Sequence, residues 1–453
     1  MTLSMIHESR RHEIEERYPH YFKRSFRQRF GFALVVAGTL LYGVYAMWFF
    51  DLPRLVAEAQ WQRFGIYLTQ WVSYDVQPEL RLKDDGSIET RYPRFSVLGD
   101  DPHPDWIVTN PEGGLTVLVS GTSRSVAVSR GQAVVNAYGQ SVTVDLSGEN
   151  PRVIGQAPPW MTVYDDNVLA SFGFSGDASI SSDRVRVRKR FLGWANFVFD
   201  THSPFFGKPA GEVISLIASG PRLDPAQSNL SLAWDNIWYN NAWQHGDVWT
   251  KLFQTIVMAF LGTLLGALVA FPLAFFAARN ITPNRFLNQV LKRMFDFLRS
   301  VDMLIWALFL TRAFGPGPLA GSGAIFLTET GTLGKLYSEG LENIDDKPRE
   351  GIKSTGASTA LVHRYGVMPQ IVPVMVSQTL YQWESNVRGA TIIGAVGAGG
   401  IGLKLWEAMR TNSNWANVGY MVLLILLVVF IFDAASNALR HRLMGTNKAS
   451  MRH

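Results

Sequence analysis

The sequence predicts a mostly α-helical, polytopic membrane protein with about six transmembrane helices and an inserted β-rich extracytoplasmic domain. Three observations lead to this fold class. Charged residues make up 17% of the 453 residues, whereas soluble domains contain about 25%. The mean hydropathy of +0.06 lies between the values typical of globular and membrane proteins. Long uncharged stretches flank one long segment in which apolar and polar residues alternate.

The clearest spans are three uncharged stretches. Gly31–Phe50 holds 20 residues without a charge, and 20 helical residues cover about 30 Å. Another 27 uncharged residues lie between Lys251 and Arg279, and the last such stretch is Thr411–Phe432. We expect the first stretch to be a retained span and not a cleaved signal peptide, because no small-residue cleavage site follows it.

Three further spans are predicted near 297–314, 318–338 and 369–393, where charges interrupt or flank the apolar residues. These charges are Asp302, Arg312, Glu329, Lys335, Glu384 and Arg388. A charge at the centre of a membrane helix costs roughly 2.5–3.5 kcal/mol, so we expect these side chains to face protein or water and not lipid.

The distribution of Lys and Arg predicts the orientation. With both termini in the cytoplasm, the four inner segments (1–30, 279–299, 336–369 and 434–453) hold twenty of these residues. The two short outer loops, 312–322 and 389–416, hold three. Because cytoplasmic loops carry the excess of Lys and Arg, segment 51–248 is expected outside the membrane.

Four segments of this outer insertion alternate at the period of a β-strand: Leu115–Ser120, Ser125–Ser129, Gln132–Ala137 and Ser141–Leu146. Turns are expected at Gly121-Thr122, Arg130-Gly131 and Gly139-Gln140. Arg184–Arg190 places four basic residues on one face; a solvated or headgroup-facing strand is favoured, with an anion-binding strand as the alternative. Amphipathic rings favour the membrane interface, where we expect Trp234, Trp238, Trp243 and Trp249.

Composition excludes several kinds of site. The chain has no cysteine, which rules out disulfides, thiolate metal sites and cysteine nucleophiles. Its nine histidines include no pair at ligand spacing, so no zinc or haem centre is expected. Lys and Arg lie beside apolar segments and form no long basic run, so nucleic acid is not an expected partner.

Residues 340–369 predict a helical elbow between two spans. Pro348 suits the first turn of a helix, a turn is expected at Gly356-Ala357-Ser358, and a second helix follows. Gly356 fits a turn that needs positive φ or a close backbone approach.

A glycine-rich run, Gly394-Ala-Val-Gly-Ala-Gly-Gly-Ile-Gly402, contains Gly397, Gly399, Gly400 and Gly402. On paper it satisfies a dinucleotide fingerprint, but no βαβ unit surrounds it and no acidic residue follows about 20 positions on. We therefore expect the glycines to allow close helix packing or to break a helix near a pathway. No Gly-Lys-Ser/Thr sequence is present, so this chain should not hydrolyse ATP.

Together these motifs resemble phosphonate-type ABC importer permeases (PhnE-like), which have a type I importer core. Glu350, Gly356 and Pro369 keep the register of that family's EAA loop, with Gly351 and Ile352 in place of alanines, Gly366 in place of Ile and Met368 in place of Leu. The resemblance extends over about 31–60 and 230–445. Its further elements are Thr255–Ala267, Pro272-Leu-Ala, Leu298-Arg-Ser300, Gly331–Leu336, Glu384–Arg388 and Ala390–Gly394.

The resemblance implies a bacterial inner-membrane permease that imports phosphonate, phosphate or phosphite by alternating access. It implies two ABC ATPase subunits that bind ATP and Mg²⁺ and dock on Glu350, Gly351, Gly356, Ala357, Ser358 and Pro369. A second permease subunit, a periplasmic substrate-binding protein and membrane lipid complete the expected partners. No cofactor and no catalytic residue are expected in this chain. The methionine-importer branch shares the glycine run, and short family members lack the outer insertion.

Arg388 follows Glu384 by one helical turn, so both can share one face. Arg388 is a candidate for an anion path, and a structural Glu384–Arg388 pair is the alternative. Three other functions remain open. The first is a membrane-anchored sensor or scaffold whose outer domain binds a ligand, and the second is a permease for another small anion or an amino acid such as methionine. The third is a secondary transporter, although no internal repeat is visible.

The predicted organisation is therefore as follows: a cytoplasmic N-terminal helix or tail at 1–30, a first span at 31–50, an insertion at 51–248 with a β-rich core at about 79–200, a permease core at 249–440 with its coupling loop at 340–369, and a cytoplasmic tail at 441–453.

Overall fold

The computed structural model describes residues 26–58, 65, 68–83, 86–93, 96–99, 102–110, 113–411 and 415–450, with side chains from 30 to 442. Most of the predicted N-terminal segment, residues 1–25, and residues 451–453 lie outside this set. The chain divides into two compact units, Met1–Ile66 and Tyr67–His453. The first contains α1 (Phe26–Phe49) and α2 (Leu52–Glu58). From Phe30 onward nearly all apolar side chains of α1 are exposed.

The second unit begins with a β-sandwich. Its thirteen described strands are β1 (Ser73–Val76), β2 (Glu79–Leu82), β3 (Ile88–Arg91), β4 (Ile107–Thr109), β5 (Leu115–Ser120), β6 (Arg124–Ser129), β7 (Gln132–Ala137), β8 (Gln140–Asp145), β9 (Arg152–Ile154), β10 (Met161–Val163), β11 (Val168–Ser171), β12 (Gly176–Ile180) and β13 (Arg184–Leu192). One sheet has the order β10-β11-β12-β13-β2-β3, with β1 also paired to β13, and the other is the meander β4 to β9. All described pairs are antiparallel.

The two sheets share one apolar core. Alternate residues of β5 to β8, such as Val117, Val126 and Val144, pack with Val187 and Ile180 of the other sheet, and all five are fully buried. This is the period-two pattern of a sheet with one face inward. The four strands predicted from alternation are confirmed to within one residue at each end.

The turn predicted at Gly139-Gln140 lies one residue earlier. Tyr138 has φ 52° and Gly139 has φ 76°, and Gln140 already begins β8. A two-residue loop with positive φ at both positions matches the right-handed twist of the strands it joins. Gly139 supplies one of these conformations at little cost, and Tyr138 adopts the other.

The basic face of β13 is paired with carboxylates. Arg186 bonds Glu79 at 2.9 Å, and Arg190, whose side chain is 4% exposed, bonds Asp75 at 2.8 Å. Hydrogen bonds from Arg81 and then Arg186 hold the pKa of Glu79 below its usual value. Since these arginines are neutralised within the sheet, the structure favours a structural strand over an anion-binding one.

Helices make up the rest of this unit. They are α3 (Ala210–Ser219), α4 (Asn229–Trp238), α5 (His245–Ala277), α6 (Arg285–Ser300), α7 (Met303–Phe314), α8 (Pro318–Glu342), α9 (Asp346–Ser354), α10 (Thr359–Val362), α11 (Met368–Ile393), α12 (Gly400–Thr411) and α13 (Trp415–Ser450). In the centre of the bundle α5 and α8 run side by side, because Gly262 and Gly266 let Ile325 and Glu329 approach within contact distance.

Three described helices are long and apolar enough to cross a membrane: Phe30–Phe49, His245–Ala277 and Trp415–Arg442. The helical segments Thr359–Ala398 and Gly400–Thr411 are together long and apolar enough for one further span, which would be bent by 59° at the break between them. Near 297–314, where a span is predicted, the helix is interrupted between Ser300 and Met303. Asp302 caps the new helix there by accepting a hydrogen bond from Leu304 N at 2.8 Å.

The segment 279–299, predicted as cytoplasmic, is mostly the amphipathic helix α6. It runs back along α8: Lys292 bonds Glu342 at the end of α8, Phe295 packs on Gly334, and the backbone at Arg299 lies against Gly331. Two glycines on α8 thus allow α6 to lie almost against its backbone. The basic residues near the end of α6 consequently lie on a helix that packs against α8.

Trp243 is also placed differently from the prediction. Its side chain is buried, with 4% exposed, in a cluster with Trp194, Phe197 and Tyr420. Trp234 and Trp249 keep 61% and 42% exposure. Trp243 therefore packs inside the protein, where it connects the end of the sandwich to the bundle.

Candidate functional site

The elbow, residues 345–369, has the helix–turn–helix form that its sequence predicts. Asp345 caps α9 by accepting a hydrogen bond from Lys347 N at 3.1 Å. Gly356 has φ +78°, a left-handed conformation that favours glycine. The short helix α10 and a π-helical turn, His363–Val367, then lead into α11.

The base of the elbow is tied to the bundle by polar contacts. Arg349 donates to Asn280 O at 3.2 Å, just beyond the end of α5. Gln370 on α11 donates to Asp345 O at 3.2 Å and accepts from Asp345 N at 3.1 Å. These bonds join the start of α9 to the ends of α5 and α11, so a displacement of the elbow is carried to both helices.

The outer surface of the elbow is open. Glu350, Gly351, Gly356 and Ser358 are exposed and Ala357 is half-buried. Leu361 is 44% exposed on the same segment. Pro369 is exposed in the first turn of α11, where a missing N–H costs nothing. The predicted coupling residues thus surround a projecting surface that a partner can reach.

The structure explains why Gly366 stands where the EAA loop of the family has Ile. A Cβ at Gly366 would lie 3.1 Å from Arg349 Cα and 3.4 Å from Ile352 Cδ1. Because α9 lies this close to the π-helical turn, a branched side chain here would push the two segments apart.

The glycine run forms a sharp bend between α11 and α12. Gly397, Gly399 and Gly400 have φ of 101°, 86° and 72°, and the two helices meet at 59°. These three positive-φ glycines, all within four residues, end one helix and start the next, which confirms that the run breaks a helix. No described strand adjoins it, so the dinucleotide fingerprint has no structural basis here.

Backbone contacts hold the bend closed. A Cβ on Gly402 would lie 1.9 Å from Thr391 O, and one on Gly394 would lie 2.5 Å from Gly399 O. Thr255 of α5 accepts a hydrogen bond from Ile401 N at 2.8 Å through its hydroxyl. Gly317 N donates to Gly397 O at 3.1 Å. The bend is thus fastened both to α5 and to the start of α8.

Glu384 binds two arginines. Its carboxylate accepts hydrogen bonds from Arg388 at 3.2 Å and from Arg440 at 3.3 Å. Glu384 is 6% exposed, whereas the Arg388 side chain is 46% exposed. The structure confirms the Glu384–Arg388 pair and leaves Arg388 half-open. Sequence reasoning missed Arg440, which lies 56 residues away at the end of the predicted permease core, in the segment 434–453 counted as cytoplasmic.

A buried polar group joins three helices of the bundle. Asn386 of α11 donates to the Thr263 hydroxyl of α5 at 2.9 Å. Glu329 of α8 lies beside them, 4% exposed, and its Oε2 has no hydrogen-bond partner among the described residues. The sequence flagged Glu329 as a charge that must avoid lipid, and it does face protein. In the described part of the chain no group of three or more His, Cys, Asp or Glu could hold a metal ion.

Comparison with known proteins places these features in a family. The profile of the binding-protein-dependent transport system inner membrane component matches residues 270–444, which include the elbow and the bend. The phosphite transport system permease protein PtxC of Stutzerimonas stutzeri is 35% identical over 189 residues, which cover 42% of this chain and 68% of PtxC.

Two further relatives are named for phosphate and phosphonate transport. The phosphate-import permease protein PhnE of Mycolicibacterium smegmatis is 34% identical over 198 residues, or 44% of this chain and 37% of that protein. PhnE2 of Escherichia coli K12, assigned to cryptic phosphonate transport, is 48% identical over 117 residues, or 26% of this chain and 95% of PhnE2. The chain belongs to the family of binding-protein-dependent transport system inner membrane components and is a PhnE-like ABC permease.

Proposed function

We propose that this chain is the transmembrane permease subunit of an ATP-driven importer for phosphonate or a related phosphorus oxyanion, phosphate or phosphite. The observation that carries the proposal is the elbow with its open surface, which lies within the residues that match the family model. The chain is also similar to permeases named for phosphite, phosphate and phosphonate. The chain contributes no catalytic residue. ATP and Mg²⁺ bind to the partner ATPase.

The partners follow from the architecture of such importers. Two ATPase subunits dock on the elbows of two permease subunits, and a periplasmic binding protein delivers the anion. This orientation puts the elbow and both termini in the cytoplasm and the β-sandwich in the periplasm, with the chain in a bacterial inner membrane. The crossings are α1, α5, α6 with α7, α8, α11 and α13.

The contacts of the elbow support a coupling role. A push on α9 reaches the end of α5 through the Arg349–Asn280 bond and reaches α11 through Gln370 and Asp345. The far end of α11 is the glycine bend, which rests on α5 at Thr255. Closure of the ATPase dimer therefore acts on the two helices whose relative position fixes the bend, which serves as the gate segment. Half-open Arg388 supplies a positive charge along the anion path.

The first test is co-purification from native membranes in mild detergent. We expect a P-loop ATPase with the wild type and its loss with Gly356→Asp, since a non-glycine residue at φ +78° strains the turn by about 1–2 kcal/mol. Gly351→Ala is the matched control on the same elbow, because Gly351 is helical and a Cβ there meets nothing within 4 Å. Both variants must remain folded and be recovered from the membrane in the same amount as the wild type.

The second test is the substrate. Proteoliposomes that contain the chain, its ATPase and its binding protein should take up labelled phosphate, phosphite or methylphosphonate in an ATP-dependent manner, and labelled methionine should not accumulate. Uptake of methionine alone would place the chain in the methionine branch. Absence of any ATPase beside well-folded wild type would refute the importer proposal and favour a membrane-anchored sensor.

A further inference from the structure

A basic cleft lies between α6 and α8, away from the elbow and the bend. Its volume is about 740 Å³, and its walls are Arg293, Asp296, Arg299, Ser300, Thr332 and Lys335. Three side chains are cations, one is a carboxylate and two are hydroxyls. Such a set favours an anion with several oxygens.

The charges of the cleft do not balance. Asp296 is shared by all three cations, with Lys335 at 3.2 Å, Arg293 at 3.4 Å and Arg299 at 3.5 Å. Glu339 approaches Lys335 at 3.7 Å from one helical turn along α8 and is half-exposed. One carboxylate inside the cleft thus leaves an excess of positive charge towards the open space.

Lys292 is a useful contrast on the same helix. Its ammonium donates to both carboxylate oxygens of Glu342, at 2.7 and 2.9 Å, and its side chain is 15% exposed. Arg293 and Arg299 keep 76% and 48% exposure. The two arginines of the cleft are therefore open to a ligand, whereas Lys292 is occupied; Lys335, 20% exposed, lies between Asp296 and the open space.

The cleft lies about two helical turns before the end of α8. Lys335 precedes the end of α8 at Glu342 by seven residues, which is about 10 Å along a helix. At the same level, Leu333 and Tyr337 of α8 pack with Ala270 and Ala274 of α5, well before that helix ends at Ala277. Three cations that line one open cleft are expected to face water or protein and not lipid.

We propose that this cleft binds a phosphorus oxyanion, with the guanidinium groups of Arg293 and Arg299 and the ammonium of Lys335 as its ligands. The inference rests on the proposed function, since it assigns the cleft the same class of anion that the permease imports. Two sources share this chemistry: the free anion in the import path and the phosphodiester of an anionic lipid.

The test measures binding of [³³P]phosphate to the full chain with its ATPase in phosphatidylcholine nanodiscs. The Lys335→Gln/Arg299→Gln variant should bind at least tenfold more weakly. Lys292→Gln, the matched control, should bind as the wild type does. Asp296→Asn removes the competing carboxylate and should bind severalfold more tightly, a gain that a folding defect cannot produce.

A second arm separates the two sources. Nanodiscs with phosphatidylglycerol are analysed by native mass spectrometry for lipid retained by the wild type and by Lys335→Gln/Arg299→Gln. Selective loss of phosphate binding in the variant identifies the free anion, and selective loss of retained phosphatidylglycerol identifies the lipid headgroup.

Phosphate and lipid binding that are both unchanged in the variant would overturn the proposal. The outcome is independent of uptake: a chain that binds phosphate in the cleft and transports no phosphorus oxyanion refutes the proposed function alone.

Discussion

The closed bend between α11 and α12 can be opened by one methyl group. In Gly402→Ala the new Cβ would lie 1.9 Å from Thr391 O, whereas ordinary contacts begin near 3.4 Å. The clash is with backbone, which no rotamer change can relieve, so the two segments must separate by about 1.5 Å. Overpacking of this kind costs about 1–3 kcal/mol.

The separation converts into a rotation of α12. Gly402 lies three residues beyond Gly399, or about 4.5 Å along the helix, so a 1.5 Å shift corresponds to a rotation of about 20°. Helix α12 ends at Thr411, eleven residues from its start at Gly400, and its far end should move by about 5 Å. A change of this size is within reach of distance measurements.

The assay uses spin labels, which the absence of native cysteine makes simple. Labels at Glu407→Cys on α12 and Ser231→Cys on α4 give one distance per chain when labelled chains are diluted with unlabelled ones. We expect the mean distance to change by several ångströms in Gly402→Ala and ATP-dependent uptake to fall at least tenfold. The control is Gly340→Ala, whose Cβ would meet only the tip of Ile371, at 3.0 Å.

One result would refute this reasoning. If Gly402→Ala keeps the wild-type distance within 1 Å and the wild-type uptake, the bend yields locally and the glycines do not set the angle between the helices. If uptake is lost while the distance is unchanged, transport needs Gly402 for a reason other than the angle of the bend.

Three further outcomes are expected. Glu384→Gln should lower the Tm in detergent by several degrees because it leaves arginines beside a buried neutral group, whereas Arg388→Ala should reduce uptake at unchanged Tm if that residue lies on the path. Gly366→Ile, which restores the family residue, should destabilise the elbow by about 1–3 kcal/mol through overpacking, seen as faster proteolysis there. The pKa of Glu79 is lowered in the folded state. The ionised carboxylate therefore stabilises the fold at a pH above its pKa in the unfolded chain, and this stabilisation is lost as the pH falls through the lower pKa of the folded state. In Glu79→Gln the Tm should consequently fall less steeply at acidic pH.

Local patterns were predictable because they encode neighbouring structure. Strands such as Leu115–Ser120 are read from side chains that alternate between core and surface, and the elbow is read from fixed spacing between Glu350, Gly356 and Pro369. The bend follows from glycines packed within nine residues. Each of these features depends on residues close together in the chain.

Features that depend on distant partners were not predictable. Arg186 and Glu79 are 107 residues apart, so the sequence shows a basic strand and conceals its neutralisation. Helix α6 carries charges and therefore resembles a loop in a hydropathy profile, although Gly331 and Gly334 of α8 receive it in the bundle. Because Arg293 and Arg299 belong to a charged segment in the sequence, the cleft that they line with Lys335 of α8 could not be predicted.

The aromatic cluster at the base of the sandwich explains how so large an insertion can sit on a compact bundle. His245, at the start of α5, contacts the Tyr420 hydroxyl of α13 at 2.9 Å and Phe197 O at 2.7 Å, so one ring joins two helices to the segment that follows β13. Ile401 of the bend packs in the same apolar cluster as Trp243. Because Trp243, Tyr420 and Ile401 share this close-packed cluster, a cavity made at any one of them should be felt by the sandwich base and the bend alike.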